Sequence, residues 1–156
     1  MDDEDKRGPG VRIPPPLIAV GVIGVAWLLD LVLPLPIDGG AFQSGAGIAL
    51  IALAFLLALV SLAQFFAART HVEPWKPTTS IIRGGAYRFS RNPIYLAFVI
   101  ATPGAGLWLD SWWIISATLP LPLLLQHFVI RLEETYLERK FGEEYLAYKR
   151  SVRRWI

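Results

Sequence analysis

Gly84-Gly85-Ala86-Tyr87-Arg88-Phe89-Ser90-Arg91-Asn92-Pro93-Ile94-Tyr95 carries the chain out of a polar, glycine-containing stretch and directly into an apolar run. The apolar run after that one ends at Glu133-Glu134, and Phe141-Gly142-Glu143-Glu144-Tyr145-Leu146-Ala147-Tyr148 comes next. If the two runs fold back on each other as a membrane hairpin, Arg91 and both carboxylates reach one water-facing surface. That surface is the candidate active site.

The composition supports the hairpin. The chain has 156 residues, of which 54% are hydrophobic, too apolar for an ordinary soluble domain and short enough for one compact unit. Apolar runs cover residues 17–35, 47–68, 94–109 and 112–130, and crossing a ~30 Å hydrocarbon core takes roughly 20 helical residues. The third run is short and holds Thr102-Pro103-Gly104, so it is expected to tilt, break or stop before the far surface. The expected fold is an all-α integral membrane protein with about four transmembrane helices. Its last span should extend into the cytoplasm, followed by an interfacial amphipathic helix.

All 15 Lys and Arg residues lie in three polar segments: Lys6, Arg7 and Arg12, then residues 69–91, then residues 131–154. The positive-inside rule places these segments, and with them both termini, in the cytoplasm. In a bacterium this means the inner membrane. The first run follows Asp2, Asp3, Glu4 and Asp5 and lacks a cleavage pattern, so it reads as a retained anchor. With no Cys and only His71 and His127, neither a thiolate nor a His-based metal site is expected. The net charge of +2 follows from membrane orientation, so no nucleic-acid partner is invoked.

Three units are expected: a disordered tail over residues 1–16, two spans over 17–68, and a reaction unit over 69–156. Asp30 reads as a residue near the outer interface. Ser61 and Gln64, about one turn apart, read as interhelical hydrogen-bonding groups, with Gln64 also a candidate substrate contact. The loop over residues 69–92 is long for a compact protein, which is common where loops are functional. Asn92 is expected to cap a helix starting at Pro93. Pro120 and Pro122 should kink the fourth run, beyond which one helix can continue to Phe141-Gly142. Tyr145, Tyr148, Val152 and Trp155, with basic residues between them, suit a helix lying on an anionic membrane face.

Pro77-Thr78-Thr79, then residues 85–96, then Glu133-Glu134, Phe141-Gly142-Glu143-Glu144-Tyr145 and Tyr148 resemble the C-terminal half of the isoprenylcysteine carboxyl methyltransferase and phospholipid methyltransferase superfamily, in a short bacterial form. The resemblance covers about residues 70 to 155 and rests on order and spacing. It implies S-adenosylmethionine bound at the cytoplasmic face and a lipophilic or amphipathic methyl acceptor arriving from the bilayer among membrane lipids. It makes Arg91, matching the family's arginine before Asn-Pro or His-Pro, and Glu134 the candidate catalytic residues. Candidate cofactor contacts are Tyr87, Arg88, Asn92, Pro93, Tyr95, Glu133, Glu134, Tyr145 and Tyr148, and candidate substrate contacts are Arg91 and Gln64. Asn92 departs from the eukaryotic histidine and cannot titrate, which weakens the case for a prenylcysteine substrate.

The residue types suit the chemistry. Carboxylates bind an amino group and ribose hydroxyls, and aromatic faces stabilise a sulfonium. A guanidinium can clamp an acceptor carboxylate bidentately, which favours carboxyl O-methylation over phospholipid or amine N-methylation. The contrasting expectation is a non-catalytic helix bundle whose basic ends bind anionic lipid or a protein partner.

Overall fold

The computed structural model describes residues 8–156. Among them there is helix, turn and coil but no strand. Helix α1 spans Pro15–Val32, α2 Gly40–Ala67 and α3 Pro93–Trp108, with a 3₁₀ turn at Gly85–Arg88 before α3. The last long rod divides into α4 (Trp112–Ser116), α5 (Pro120–Leu125), a π-helical turn (Gln126–Ile130) and α6 (Arg131–Phe141). Helix α7, Glu143–Ser151, lies beyond Gly142.

Among the described residues, three helical stretches are long and apolar enough to cross a membrane: Pro15–Val32, Gly40–Ala67 and the rod Trp112–Phe141. Their outward faces carry Val20, Trp27, Leu28, Phe42, Phe55 and Leu123, all exposed. Exposed apolar area on this scale suits hydrocarbon rather than water. The protein is an integral membrane protein. Helix α3 is shorter, its 16 residues rising about 24 Å, and it neither breaks nor ends at Pro103. Pro103 removes one bond, to the carbonyl of Val99, and Thr102 Oγ1 binds the Phe98 carbonyl at 2.8 Å beside it.

Helix α3 stays in place because α2 lies along it at backbone contact. A Cβ on Gly47 would come within 2.7 Å of the Gly104 carbonyl oxygen, and one on Gly104 within 3.0 Å of the Gly47 carbonyl oxygen. Small residues that let two backbones touch are a main source of helix association in lipid. Elsewhere the core is conventional: Ile18 and Ala19 of α1 meet Leu121, Leu125, Val129 and Ile130 of the last rod.

At the end of the bundle away from the arginines, polar groups tie the connections together. Asp110 Oδ1 accepts from the backbone amides of Ile37 and Asp38, each at 3.0 Å, and from Gln43 Nε2 at 2.9 Å. Asp30, expected simply near the interface, accepts from Ser111 Oγ at 2.8 Å. Ser111 also caps α4 through the amide of Ile114. These carboxylates serve as hydrogen-bond acceptors for loop amides, a satisfied arrangement at a membrane edge.

Three local expectations need correction. Asn92 stands at the N-cap position of α3, but its side chain makes no capping bond. Its Nδ2 donates instead to the carbonyl of Arg154 at 3.0 Å. The expected disordered tail touches the bundle at two points: Val11 is 5% exposed and Gly8 lies against the backbone of Trp75. Residues 1–7 lie outside the described part. The basic helix ends at Ser151, short of Val152 and Trp155. Tyr145 and Tyr148 are buried in the protein, so their aromatic face is not what this helix offers to a membrane.

Candidate active site

The connection from α2 to α3 is long, yet it is tied down at several points. Thr79 N donates to Thr70 Oγ1 at 2.9 Å, Thr78 N to the Tyr136 hydroxyl at 3.2 Å, and Arg83 to the Glu144 carbonyl at 2.9 Å. It then turns sharply at Gly85, whose φ of 55° lies in the left-handed region. A Cβ there would also meet the end of the Gln64 side chain, which would have to turn aside, so it is the left-handed backbone that calls for glycine. The turn buries Tyr87, which meets Phe65 of α2 edge-on with ring centroids 5.7 Å apart. Its carbonyl accepts from the Tyr148 hydroxyl at 2.7 Å.

Beyond the turn, Arg91 and Glu134 come together as the hairpin reading expected. Arg91 Nη2 binds Glu134 Oε1 at 2.8 Å, and the two side chains are only 7% and 9% exposed. Arg91 Nη1 donates to the Lys149 carbonyl at 3.3 Å. Its Nε is buried without a partner among the described residues. A second guanidinium completes the group: Arg154 Nε reaches Glu134 Oε1 at 2.9 Å and its Nη2 reaches Oε2 at 2.6 Å. Both oxygens of Glu134 are therefore occupied, in the bidentate geometry that makes such pairs strong. The bond to Glu134 raises the Arg154 pKa above its ordinary value.

Glu133, one residue earlier, is partnered differently. Its Oε1 accepts from the Tyr95 hydroxyl at 2.7 Å, and among the described residues no cation pairs with it. Both glutamates come soon after the π-helical turn Gln126–Ile130. An insertion of this kind re-aims the side chains after it and recurs at functional sites.

A cavity of about 390 Å³ joins these groups, within the ~300–1,000 Å³ usual for small-molecule sites. Tyr87, Arg91, Asn92 and Tyr95 line it from the first segment, and Glu133, Glu134, Tyr145 and Tyr148 from the second. Its apolar wall comes from the spans and the arm before them: Leu62, Phe65, Ile94, Phe98, Pro15 and Pro16. Three expected contacts do not line it. Pro93 is buried at the start of α3, Gln64 lies over Gly85 with its Oε1 buried and unpartnered, and Arg88 faces a separate depression with Arg83 and Ser151.

Burial pushes the Tyr148 phenol up to about 12. Burial also raises Tyr87, helped by the Glu133 charge, and Tyr145, helped by the Glu134 charge. These phenols remain neutral hydroxyls at any physiological pH and serve as hydrogen-bond donors and aromatic walls.

Sequence reasoning missed Arg154 and the proline arm. Arg154 sits in a run of basic residues indistinguishable by type, and only the fold-back of residues 152–156 singles it out. The arm around Pro9, Pro15 and Pro16 has a composition that suits disorder.

An uncharacterized protein of Haemophilus influenzae is 40% identical over 63 residues, covering 40% of this chain and the whole of that protein. The protein-S-isoprenylcysteine O-methyltransferase of Saccharomyces cerevisiae is 34% identical over 84 residues, covering 46% of this chain and 30% of the yeast protein. This chain therefore spans under a third of the length of the yeast enzyme. No solved structure gives a significant match. The phospholipid methyltransferase family matches residues 42–144, a stretch that takes in α2, α3, the Arg91 segment and both glutamates, and the chain belongs to that family.

Proposed function

We propose that this protein is an S-adenosylmethionine-dependent methyltransferase acting on a lipophilic acceptor at the arginine-bearing end of the membrane bundle. The carrying observation is a single cavity lined both by Glu133, Arg91 and Tyr95 and by the apolar span residues Leu62, Phe65, Ile94 and Phe98. A purely structural ion-pair cluster gives no reason for such a hollow, or for a buried guanidinium donor left over at Arg91 Nε.

The residues suit the methyl donor. S-adenosylmethionine supplies an electrophilic methyl group on a sulfonium. Glu133 is the carboxylate free to bind an amino group or ribose hydroxyls, because Glu134 is occupied by two arginines. Tyr87, Tyr145 and Tyr148 supply aromatic faces, and Arg91 Nε supplies a donor for a carboxylate. Transfer from a sulfonium depends chiefly on proximity and alignment, which rigid helices provide.

For the acceptor, the arrangement alters the balance drawn from the sequence. The bidentate clamp that favoured carboxyl O-methylation needs both arms of Arg91, and those arms hold Glu134 and the Lys149 carbonyl. An acceptor carboxylate would meet Nε alone. An amine acceptor needs no such clamp; it must reach the site deprotonated. We therefore place N-methylation of an amphipathic amine first and carboxyl O-methylation second. Purified protein in lipid nanodiscs, given radiolabelled S-adenosylmethionine and either phosphatidylethanolamine or a prenylated cysteine carboxylate, tests both. Label in the amine lipid supports the first and label in the carboxylate the second. Label in neither, with no heat of binding for S-adenosylhomocysteine, overturns the enzyme reading.

A further inference from the structure

Residues 152–156 run as extended chain back beneath the start of α3. Arg91 N donates to the Arg153 carbonyl at 3.0 Å. Ser90 Oγ and Asn92 Nδ2 both donate to the Arg154 carbonyl, at 3.3 and 3.0 Å. Trp155 packs on the apolar core that includes Ile18, Leu121 and Val129. Backbone bonds thus hold the segment on the residues flanking Arg91, and an apolar anchor fixes its far side.

This attachment aims one side chain. The Arg154 guanidinium grips both oxygens of Glu134, and Glu134 Oε1 in turn holds Arg91 Nη2. Arg154 is itself 30% exposed, so it stands behind Glu134 rather than in the cavity, and it does not line the cavity. With Arg154 in place, Glu134 has one orientation, and Arg91 presents Nε on the side its two Nη atoms leave open. Without it, Glu134 can turn about its end torsion and take Arg91 with it.

We propose that Arg154 is a positioning residue for methyl transfer, acting through Glu134 on Arg91, and that residues 152–156 form the strap that delivers it. The role rests on the methyltransferase reading. A surface cation chosen only for membrane charge would need no fork geometry, no backbone ties at Ser90, Arg91 and Asn92, and no aromatic anchor one residue later.

The test compares wild-type protein with Arg154→Ala, Arg154→Lys and, as a control on an exposed cation outside the cavity, Arg150→Ala, all in nanodiscs. Arg154→Ala is expected to lower kcat by about 10- to 100-fold, the scale of a supporting group behind a reacting one. Affinity for S-adenosylhomocysteine should change less than about threefold, since the groups facing the cavity remain. Arg154→Lys should recover part of kcat and no more, because a single ammonium cannot replace the bidentate contact, and millimolar ethylguanidinium should partly restore Arg154→Ala.

Wild-type kcat in Arg154→Ala would overturn the proposal. So would equal losses in the Ala and Lys variants that track thermal unfolding and resist ethylguanidinium, which is the signature of a merely structural residue. If wild-type protein neither binds S-adenosylhomocysteine nor transfers methyl, the enzyme reading falls. The positioning role, which rests on that reading, then falls with it, whereas a working enzyme that keeps wild-type kcat in Arg154→Ala removes the positioning role alone.

Discussion

Glu133 and Glu134 are neighbours in sequence with opposite surroundings. One receives a tyrosine hydroxyl and the other two guanidinium groups. The sequence shows that they point to different faces of a helix, but residue types do not reveal which one is neutralised, because the second arginine lies twenty positions away. The assignment gives separable outcomes. Glu133→Gln should weaken S-adenosylhomocysteine binding by about 10- to 100-fold, the value of a charge-assisted hydrogen bond, with little change in unfolding; titration calorimetry checks this. Arg91→Ala should destabilise by less than the ~3–5 kcal/mol that stranding a buried charge costs, since Arg154 still covers Glu134. Removing both arginines should cost more than the two single losses combined, and denaturant titration of the four proteins closes the cycle. Gln64, which the sequence offered as a substrate contact, lies over Gly85, where the absence of a Cβ leaves room for its amide. The pairing of a span residue with a distant turn is not visible in either segment alone.

Among the elements, helices and their ends were the legible part, since apolar runs, Pro93 at the first position of α3 and Phe141-Gly142 at the end of α6 all act locally. The π-helical turn was not legible. It arises where the kinked segment after Pro120 and Pro122 must pack Leu125, Val129 and Ile130 against α1 while still bringing the glutamates round to Arg91 and Tyr95. Deleting one residue from Gln126–Ile130 would restore α-helical register and rotate α6 by about 100° relative to α5. Binding of S-adenosylhomocysteine should vanish while far-ultraviolet circular dichroism keeps its helical strength. The turn at Gly85 is equally demanding: Gly85→Ala brings left-handed strain and should cost about 1–3 kcal/mol, measured by thermal unfolding in detergent.

At the level of the whole molecule, the segregation of positive charge agrees with the fold, which gathers residues 69–91 and 131–154 at one end and the Asp30 and Asp110 connections at the other. The absence of Cys gives a clean background for a topology test. Single Cys residues at Thr79 and Ala147 should react with an impermeant maleimide only from the cytoplasmic side, and one at Ala41 only from the opposite side; equal labelling of all three from one side would refute this orientation. The hydropathy of the runs made the membrane class legible, whereas the closure of the cavity depended on contacts between distant segments. The arm at residues 8–16, which lends Pro9, Pro15 and Pro16 to the cavity, and the strap at residues 152–156, which holds Glu134 from behind, both flank the family match at residues 42–144. A relative could therefore keep the shared chemical frame while exchanging its doorposts. Chimaeras that swap only the arm should alter acceptor selectivity and leave donor affinity with the frame.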